Sequence, residues 1–373
     1  MPNRFHLPDA ADVHARLADA RALLARSDGT LIETQIAIAQ IASPTGDESD
    51  RAHWLADRFG ALRLAKIEID AAGNVIGTRA GRHDMQPIAV CAHIDTVFPR
   101  GTEHTVRRNG ARLVGPSITD NSRGVAVMLS IAETMNALAH ANDRPIHFVG
   151  TTGEEGAGDL RGAKHYFATH GGDTYAAIML DGAGDERIVH RALGARRFRA
   201  TFDGPGGHSW SAFGAANAVH AAAAAATSIA ALTLPRTPRT TVTVSRIGGG
   251  LSVNSIPQHA WIEIDLRSSA AAVLSTMGQR IADAVRDATI VENQKSTPGT
   301  GPLRSNVMTI GDRPCGEIPE SHPLVQCALA TTRLLGRSAD LAMASTDANV
   351  PISLGIPAIA IGAGGRGGDT HTT

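Results

Sequence analysis

The sequence predicts an α/β sandwich around a largely parallel sheet, with a second α+β domain inserted before the chain returns to the sandwich. Three observations carry this. Short apolar runs alternate with helical patterns through the first half of the chain. Several of those runs, such as Pro87-Ile88-Ala89-Val90-Cys91-Ala92, are only about six residues long and bounded by Gly and Pro, the signature of strands buried on both faces. After about residue 194 the pattern becomes β-α-β-β-α, and strand–helix alternation resumes near 310.

Taken in order, residues 11–28 and 30–42 read as amphipathic helices, with Val13, Leu17 and Leu24 on one apolar face and Ile32, Ile36 and Ala39 on the other. Ser43-Pro44-Thr45-Gly46 breaks the pattern, and Asp47-Glu48 opens a helix to about 61. Residues 67–79 read as strand and turn, with a hairpin at Gly73-Asn74. A strand at 87–92, a helix at 122–139, a strand at 145–151, a helix at 159–169 and a strand at 175–181 follow. The inserted segment holds a strand at 196–202, an alanine-rich helix at 215–232, strands at 240–247 and 260–267, and a helix at 274–288. A further strand near 304–310 would complete a ferredoxin-like domain of 195–309. The first domain is then residues 1–194 plus 310–373, closing with a helix at 324–335 and a strand at 350–362.

At 373 residues there is chain enough for two domains. Hydrophobic residues make up 43% and charged ones 19%, which excludes a disordered chain. Lys+Arg number 35 against Asp+Glu 36, so no basic excess points to nucleic acid or an anionic membrane surface. Three scattered cysteines form neither a disulfide framework nor a CxxC metal site, and a reducing, cytoplasmic setting is the simplest reading. The opening Met1-Pro2-Asn3-Arg4-Phe5-His6 lacks the apolar core of a signal peptide, and no apolar stretch of about eighteen residues is present to span a membrane.

Four apolar runs end in residues that can hold a divalent metal: His93-Ile94-Asp95, Gly153-Glu154-Glu155, Asp181, and His371 beyond a glycine loop. In open α/β sheets ligands collect at the carboxyl ends of the strands, so these groups would converge on one edge. His93 and Asp95 lie two apart and share a face, so one can ligate while the other orients the imidazole. Adjacent Glu154 and Glu155 point apart, one free for metal and one for substrate. Each has a plainer reading. A Glu-Glu pair is usually an exposed turn, Asp120 ahead of a helix is commonly an N-cap, Asp181-Gly182 a turn, and His371 a solvated tail. The glycine loop 362–368 lacks the ending of a phosphate loop and reads as backbone passing close to substrate.

Three motifs carry a resemblance: Ala92-His93-Ile94-Asp95-Thr96-Val97, Thr151-Thr152-Gly153-Glu154-Glu155-Gly156 and Gly204-Pro205-Gly206-Gly207-His208-Ser209. In this order, and from Ile41-Ala42-Ser43-Pro44-Thr45-Gly46 to His371, the chain resembles the M20 co-catalytic zinc peptidases. That group includes peptidase T, carboxypeptidase G2, acetylornithine deacetylase, succinyl-diaminopimelate desuccinylase and aminoacylase. The resemblance implies a zinc-exopeptidase-like α/β/α sandwich and an inserted ferredoxin-like dimerisation, or lid, domain. It implies two Zn2+, with Co2+ or Mn2+ as substitutes. His93 and Asp181 would hold one ion, Glu155 and His371 the other, and Asp120 would bridge both through a cis bond to Asn121. Asp95 would sit behind His93, and Glu154 would be the general base. His208 would stabilise the oxyanion across a homodimer interface, and Asn254 and Arg267 would contact substrate. For Arg267 the plainer reading is a surface salt bridge with Asp265 or a neighbour.

The chain departs from that pattern twice. Where the family often has lysine two residues after the bridging Asp, this chain has Ser122. The family usually continues into a closing helix beyond the last histidine, so the chain reads as a truncated one. The implied activity is hydrolysis of small peptides, with Asp181 leaning toward the peptidase branch. N-acyl-amino-acid deacylation is the alternative. A non-catalytic binding member would have lost the base or a ligand, and none is lost here.

Overall fold

The computed structural model describes residues 10–139 and 141–372; the opening stretch Met1–His6 read above lies outside them. The chain forms two compact units, one built from the chain before Leu193 and after Gly316, the other from Leu193–Gly316.

The first unit is built on a mixed sheet. Its strands run in the order Ala65–Ile69, Val75–Arg79, Ile146–Thr151, Ile88–His93, Ala176–Leu180, Ala358–Ile361 and Arg187–Ala192, with Asp340–Ala344 also paired to the last of these. The four central strands, 146–151, 88–93, 176–180 and 358–361, are mutually parallel. They are the four apolar runs singled out in the sequence, so their carboxyl ends share one edge. The pairs 65–69 with 75–79, 75–79 with 146–151 and 358–361 with 187–192 are antiparallel, while 340–344 runs parallel to 187–192, so the sheet is less uniformly parallel than the sequence suggests.

Side-chain alternation sends each central strand's residues to two cores. Ala89, Cys91 and Val149 pack with Leu160, Tyr166, Phe167, Val325 and Leu329 on one face. Ala92, Phe148 and Leu180 pack with Ile38, Leu55, Phe59, Val125 and Met128 on the other. Helices Asp28–Ala39, Ser49–Ala61 and Ser122–Ala137 therefore cover one side, and Arg161–His170 and Pro323–Leu334 the other. Burying each such Leu, Ile or Phe contributes about 1.5–3 kcal/mol.

Three local readings change. The expected helix at 11–28 is two, Ala10–Arg16 and Ala18–Arg26. The strands Arg187–Ala192 and Asp340–Ala344 are additional to those read from the sequence. The expected strand at 350–362 is a helix, Asn349–Ser353, then a strand of only Ala358–Ile361. Gly355, at φ +76°, breaks the apolar run that periodicity read as continuous.

The second unit has the order Gly194–Asp203, Ala218–Ala230, Thr240–Gly249, His259–Ser268, Ala271–Lys295, Arg304–Arg313. Its four strands form an antiparallel sheet in the order 240–249, 259–268, 194–203, 304–313, the ferredoxin-like arrangement. Ala260, Ile262, Ile264 and Leu266 point alternately inward onto the two helices. Among the described residues, no helix is long and apolar enough to cross a membrane.

Candidate metal centre

The edge where the four parallel strands end gathers the acids and imidazoles of the first unit. His93 closes its strand and is 3% exposed. Its Nε2 lies 2.9 Å from Asp120 Oδ1 and 3.7 Å from Asp181 Oδ1. Its Nδ1 faces the Asp95 carbonyl at 3.2 Å and Oδ1 at 3.5 Å. Nδ1 thus has an acceptor for its proton, which turns Nε2 toward the carboxylates as a ligand atom.

Asp95, fully buried, joins this strand to the next. Its Oδ1 accepts from Glu154 N at 2.9 Å, and its Oδ2 from Glu155 N at 3.0 Å and Thr45 Oγ1 at 2.8 Å. Burial works to raise its pKa, but His93 and the two backbone N–H groups outweigh it and bring it down to about 2. For His93, burial acts to lower the pKa, and the bonds to Asp120, Asp181 and Asp95 hold it well above its ordinary value.

Asp120 is held by the start of helix Ser122–Ala137. The N-cap there is Asn121, whose Oδ1 accepts from Gly124 N at 3.1 Å, so Asp120 is free of the capping role. The Asp120–Asn121 peptide bond is cis. Asn121 Nδ2 also donates to Leu180 O at 2.8 Å, which seats Asp120 beside Asp181. Gly124 permits this approach: a Cβ there would stand 2.3 Å from Asn121 Oδ1 and 2.4 Å from Leu180 O. Ser122, in the place of the missing lysine, is buried with its hydroxyl 3.3 Å from Ser117 Oγ. The neighbouring Arg123 instead reaches the glycine loop, donating to Ala363 O at 3.0 Å.

His371 returns over that loop and sets Nε2 3.1 Å from Glu155 Oε1 and 3.4 Å from Asp120 Oδ2. The two Asp120 oxygens therefore face different histidines. Donor atoms cluster as His93–Asp120–Asp181 and as Asp120–Glu155–His371, two groups sharing Asp120, with Glu154 close to His93 and Glu155. The donors suit a divalent ion on chemical grounds as well. Imidazole nitrogens and carboxylate oxygens fit zinc, cobalt or manganese. So many acids around two imidazoles, most of them buried, cost heavily without a cation.

The sequence reading brought His93, Asp95, Asp120, Glu154, Glu155, Asp181 and His371 forward, and all seven meet here. It missed Asp347, which is 4% exposed, accepts from Thr151 Oγ1 at 2.5 Å, and leaves Oδ1 without a partner. Burial, reinforced by Asp95 and Asp181, raises its pKa to about 6. Its only sequence signal was Ser345-Thr346-Asp347-Ala348, a polar break between an apolar strand and helix.

The remaining candidates belong to the second unit. His208 pairs with Ser255 in a two-residue ladder, with Ser209 N donating to Asn254 O at 2.9 Å, so His208 and Asn254 stand on one exposed tip. Arg267 Nε donates to Asp265 Oδ2 at 2.7 Å, the salt bridge that was its plainer reading.

The profile of peptidase family M28 matches residues 74–227, and that of the M20-type peptidase dimerisation domain matches 192–292. No curated protein matches the chain in sequence. A tripeptidase from Staphylococcus aureus superposes with a TM-score of 0.71 at 22% identity, covering 89% of each chain. The aminopeptidase PepT from Bacillus cereus gives 0.71 at 23%, covering 92% of this chain and 91% of its own. A dinuclear metal-binding M20 peptidase from Bacillus subtilis gives 0.60 at 15%, covering 92% and 89%. At these identities the structures speak for the fold, and the two profiles speak for the lineage of its parts. Residues 74–227 thus resemble a metal-dependent peptidase family and residues 192–292 a peptidase dimerisation domain, on a fold that is also that of M20 peptidases.

Proposed function

We propose that this chain is a dinuclear zinc hydrolase that cleaves the amide bond of small peptides, as a cytoplasmic homodimer acting as a di- or tripeptidase or another exopeptidase. One observation carries the reading: Asp120 turns Oδ1 to His93 and Oδ2 to His371, the disposition of a bridging carboxylate. His93 and Asp181 would hold one ion and Glu155 and His371 the other. When bound, such a pair lowers the pKa of water and polarises a carbonyl.

The chain's own groups supply the rest. Asp95 fixes the His93 tautomer and, through the Glu154 and Glu155 N–H groups, the backbone that carries the base and a ligand. Glu154, 7% exposed beside His93 and Glu155, takes the proton of the attacking water and returns it to the leaving amine. The oxyanion would be met by His208 of the partner subunit, and the substrate by Asn254 and Arg267. For Arg267 to grip a substrate carboxylate it must exchange its bond to Asp265.

Glu154→Gln tests the mechanism. Turnover of di- and tripeptides should fall at least 1,000-fold, roughly the upper part of the general-base range, with metal content unchanged. Residual activity near wild type would refute the assignment. Hydrolysis of N-acyl amino acids but not of peptides would make the chain a deacylase on the same machinery. His208→Ala should lower kcat about 100-fold with metal content unchanged, and an active monomer would disprove the crossing role.

A further inference from the structure

Arg51 is a fully buried cation with no ion-pair partner among the described residues. It lies on the core face of helix Ser49–Ala61, in phase with Leu55 and Phe59, where an apolar residue is expected. Burying an unpaired guanidinium is expensive, so something must offset it. Its hydrogen bonds run to three separate segments. Nη1 donates to Ile94 O at 2.9 Å, and Nη2 donates to Ile41 O at 2.7 Å and Ser117 Oγ at 3.3 Å. Nε has no partner.

Each segment carries part of the metal centre. Ile94 is the residue between His93 and Asp95. Ser117 opens the loop to Asp120, and Ser122 N donates back to Ser117 O at 3.1 Å, closing that loop. Ile41 leads into Ser43, whose carbonyl accepts from Thr96 N, and Thr45, whose hydroxyl binds Asp95. The charge that favours the guanidinium is that of Asp95. The acids Asp95, Asp120, Glu154, Glu155 and Asp181 lie beyond these segments.

We infer that Arg51 is a positioning residue of the metal centre: a positive clamp that sets the His93–Asp95 strand end, the Asp120 loop and the 41–45 loop against one another. The inference rests on the metal-centre reading above. Burial lowers its pKa to about 10, with Asp95 opposing, so it stays charged at neutral pH. A clamp one step behind the ligands should act on metal affinity, where removal of such partners typically costs about 10–100-fold.

The test is a zinc titration of the chelator-treated full chain against a competing chelator, with the melting temperature of the metal-free protein measured alongside. Arg51→Met should bind zinc about 10–100-fold more weakly, and Arg51→Lys, which keeps the charge and a donor, should recover most of that loss. Zinc affinity at the wild-type level in Arg51→Met, or equal losses in the Met and Lys variants, would overturn the inference. If Arg51→Met does not fold, Ser117→Ala carries the test. It should weaken zinc binding several-fold with the metal-free melting temperature unchanged, and an unchanged affinity overturns the clamp. A wild-type chain that takes up no zinc would sink the metal-centre reading and the inference together.

Discussion

Asp95→Asn is the most discriminating substitution in the first unit, because it keeps shape and volume and removes only charge and one acceptor. Two backbone N–H groups and a hydroxyl converge on its carboxylate. An asparagine can offer its oxygen to Glu154 N or to Glu155 N, and the other then faces an NH2 group. One buried donor left unpaired costs about 1–3 kcal/mol. The second part of the effect is electrostatic. The folded pKa of about 2 lies below the ordinary 3.8, so the carboxylate contributes roughly 2.5 kcal/mol to the metal-free fold at about 1.36 kcal/mol per unit. The unfolded chain takes up its proton first as pH falls. That contribution is therefore complete above about pH 4 and is lost as pH falls toward 2. The variant should thus be about 3.5–5.5 kcal/mol less stable near pH 7 by urea unfolding of the chelator-treated chain. It should also lose about 2.5 kcal/mol less than wild type between about pH 5 and pH 2. Parallel stability curves for the two proteins across that range would refute the account of Asp95.

Further outcomes follow from other contacts. Gly124→Ala places a methyl 2.3 Å from Asn121 Oδ1 and 2.4 Å from Leu180 O. The clash should cost about 1–3 kcal/mol of stability and lower metal affinity by shifting Asp120 and Asp181. Wild-type melting temperature and affinity would count against that packing. His371→Ala removes the imidazole from the Asp120–Glu155–His371 group and leaves the other group whole. Elemental analysis after dialysis should find one metal equivalent in place of two, with the metal-free stability changed by no more than about 0.5 kcal/mol, since the side chain is half exposed.

How much of this was legible in the sequence depends on where the information resides. The central sheet was, because strands buried on both faces must be continuously apolar, and His93, Glu154, Glu155 and Asp181 break such runs abruptly. The marginal strands were harder to read. Arg187–Ala192 mixes Ile188, Val189 and Ala192 with Arg187, His190 and Arg191 and shows no continuous apolar run, and Asp340–Ala344 is short and joins its edge only by long-range pairing. Local pattern does not record what a distant segment will offer as a partner. Asp120 shows the same division within the site. Sequence alone offered it an N-cap role, and only the fold shows Asn121 taking that role and gripping Leu180 O, which leaves Asp120 to face both histidines.

Arg51 and Asp347 went unread for a related reason. Each is a charged residue whose neighbours in sequence look ordinary, and whose meaning lies in burial. Yet Arg51 had a signal: position 51 is in phase with Leu55 and Phe59, so a helix packed on the sheet must bury it. A charge in the apolar phase of a helix is a conflict between local chemistry and global fold, and such conflicts persist where something compensates them. Here the compensation lies beside a cluster of acids that is itself costly without a cation. Two adjoining violations of opposite sign reduce each other's cost, and a bound metal would shift that balance further. The metal centre is thus bounded by charges on the strand ends, which periodicity reveals, and by charges beneath them, which periodicity reveals only when the helix phase is read through its polar residues as well.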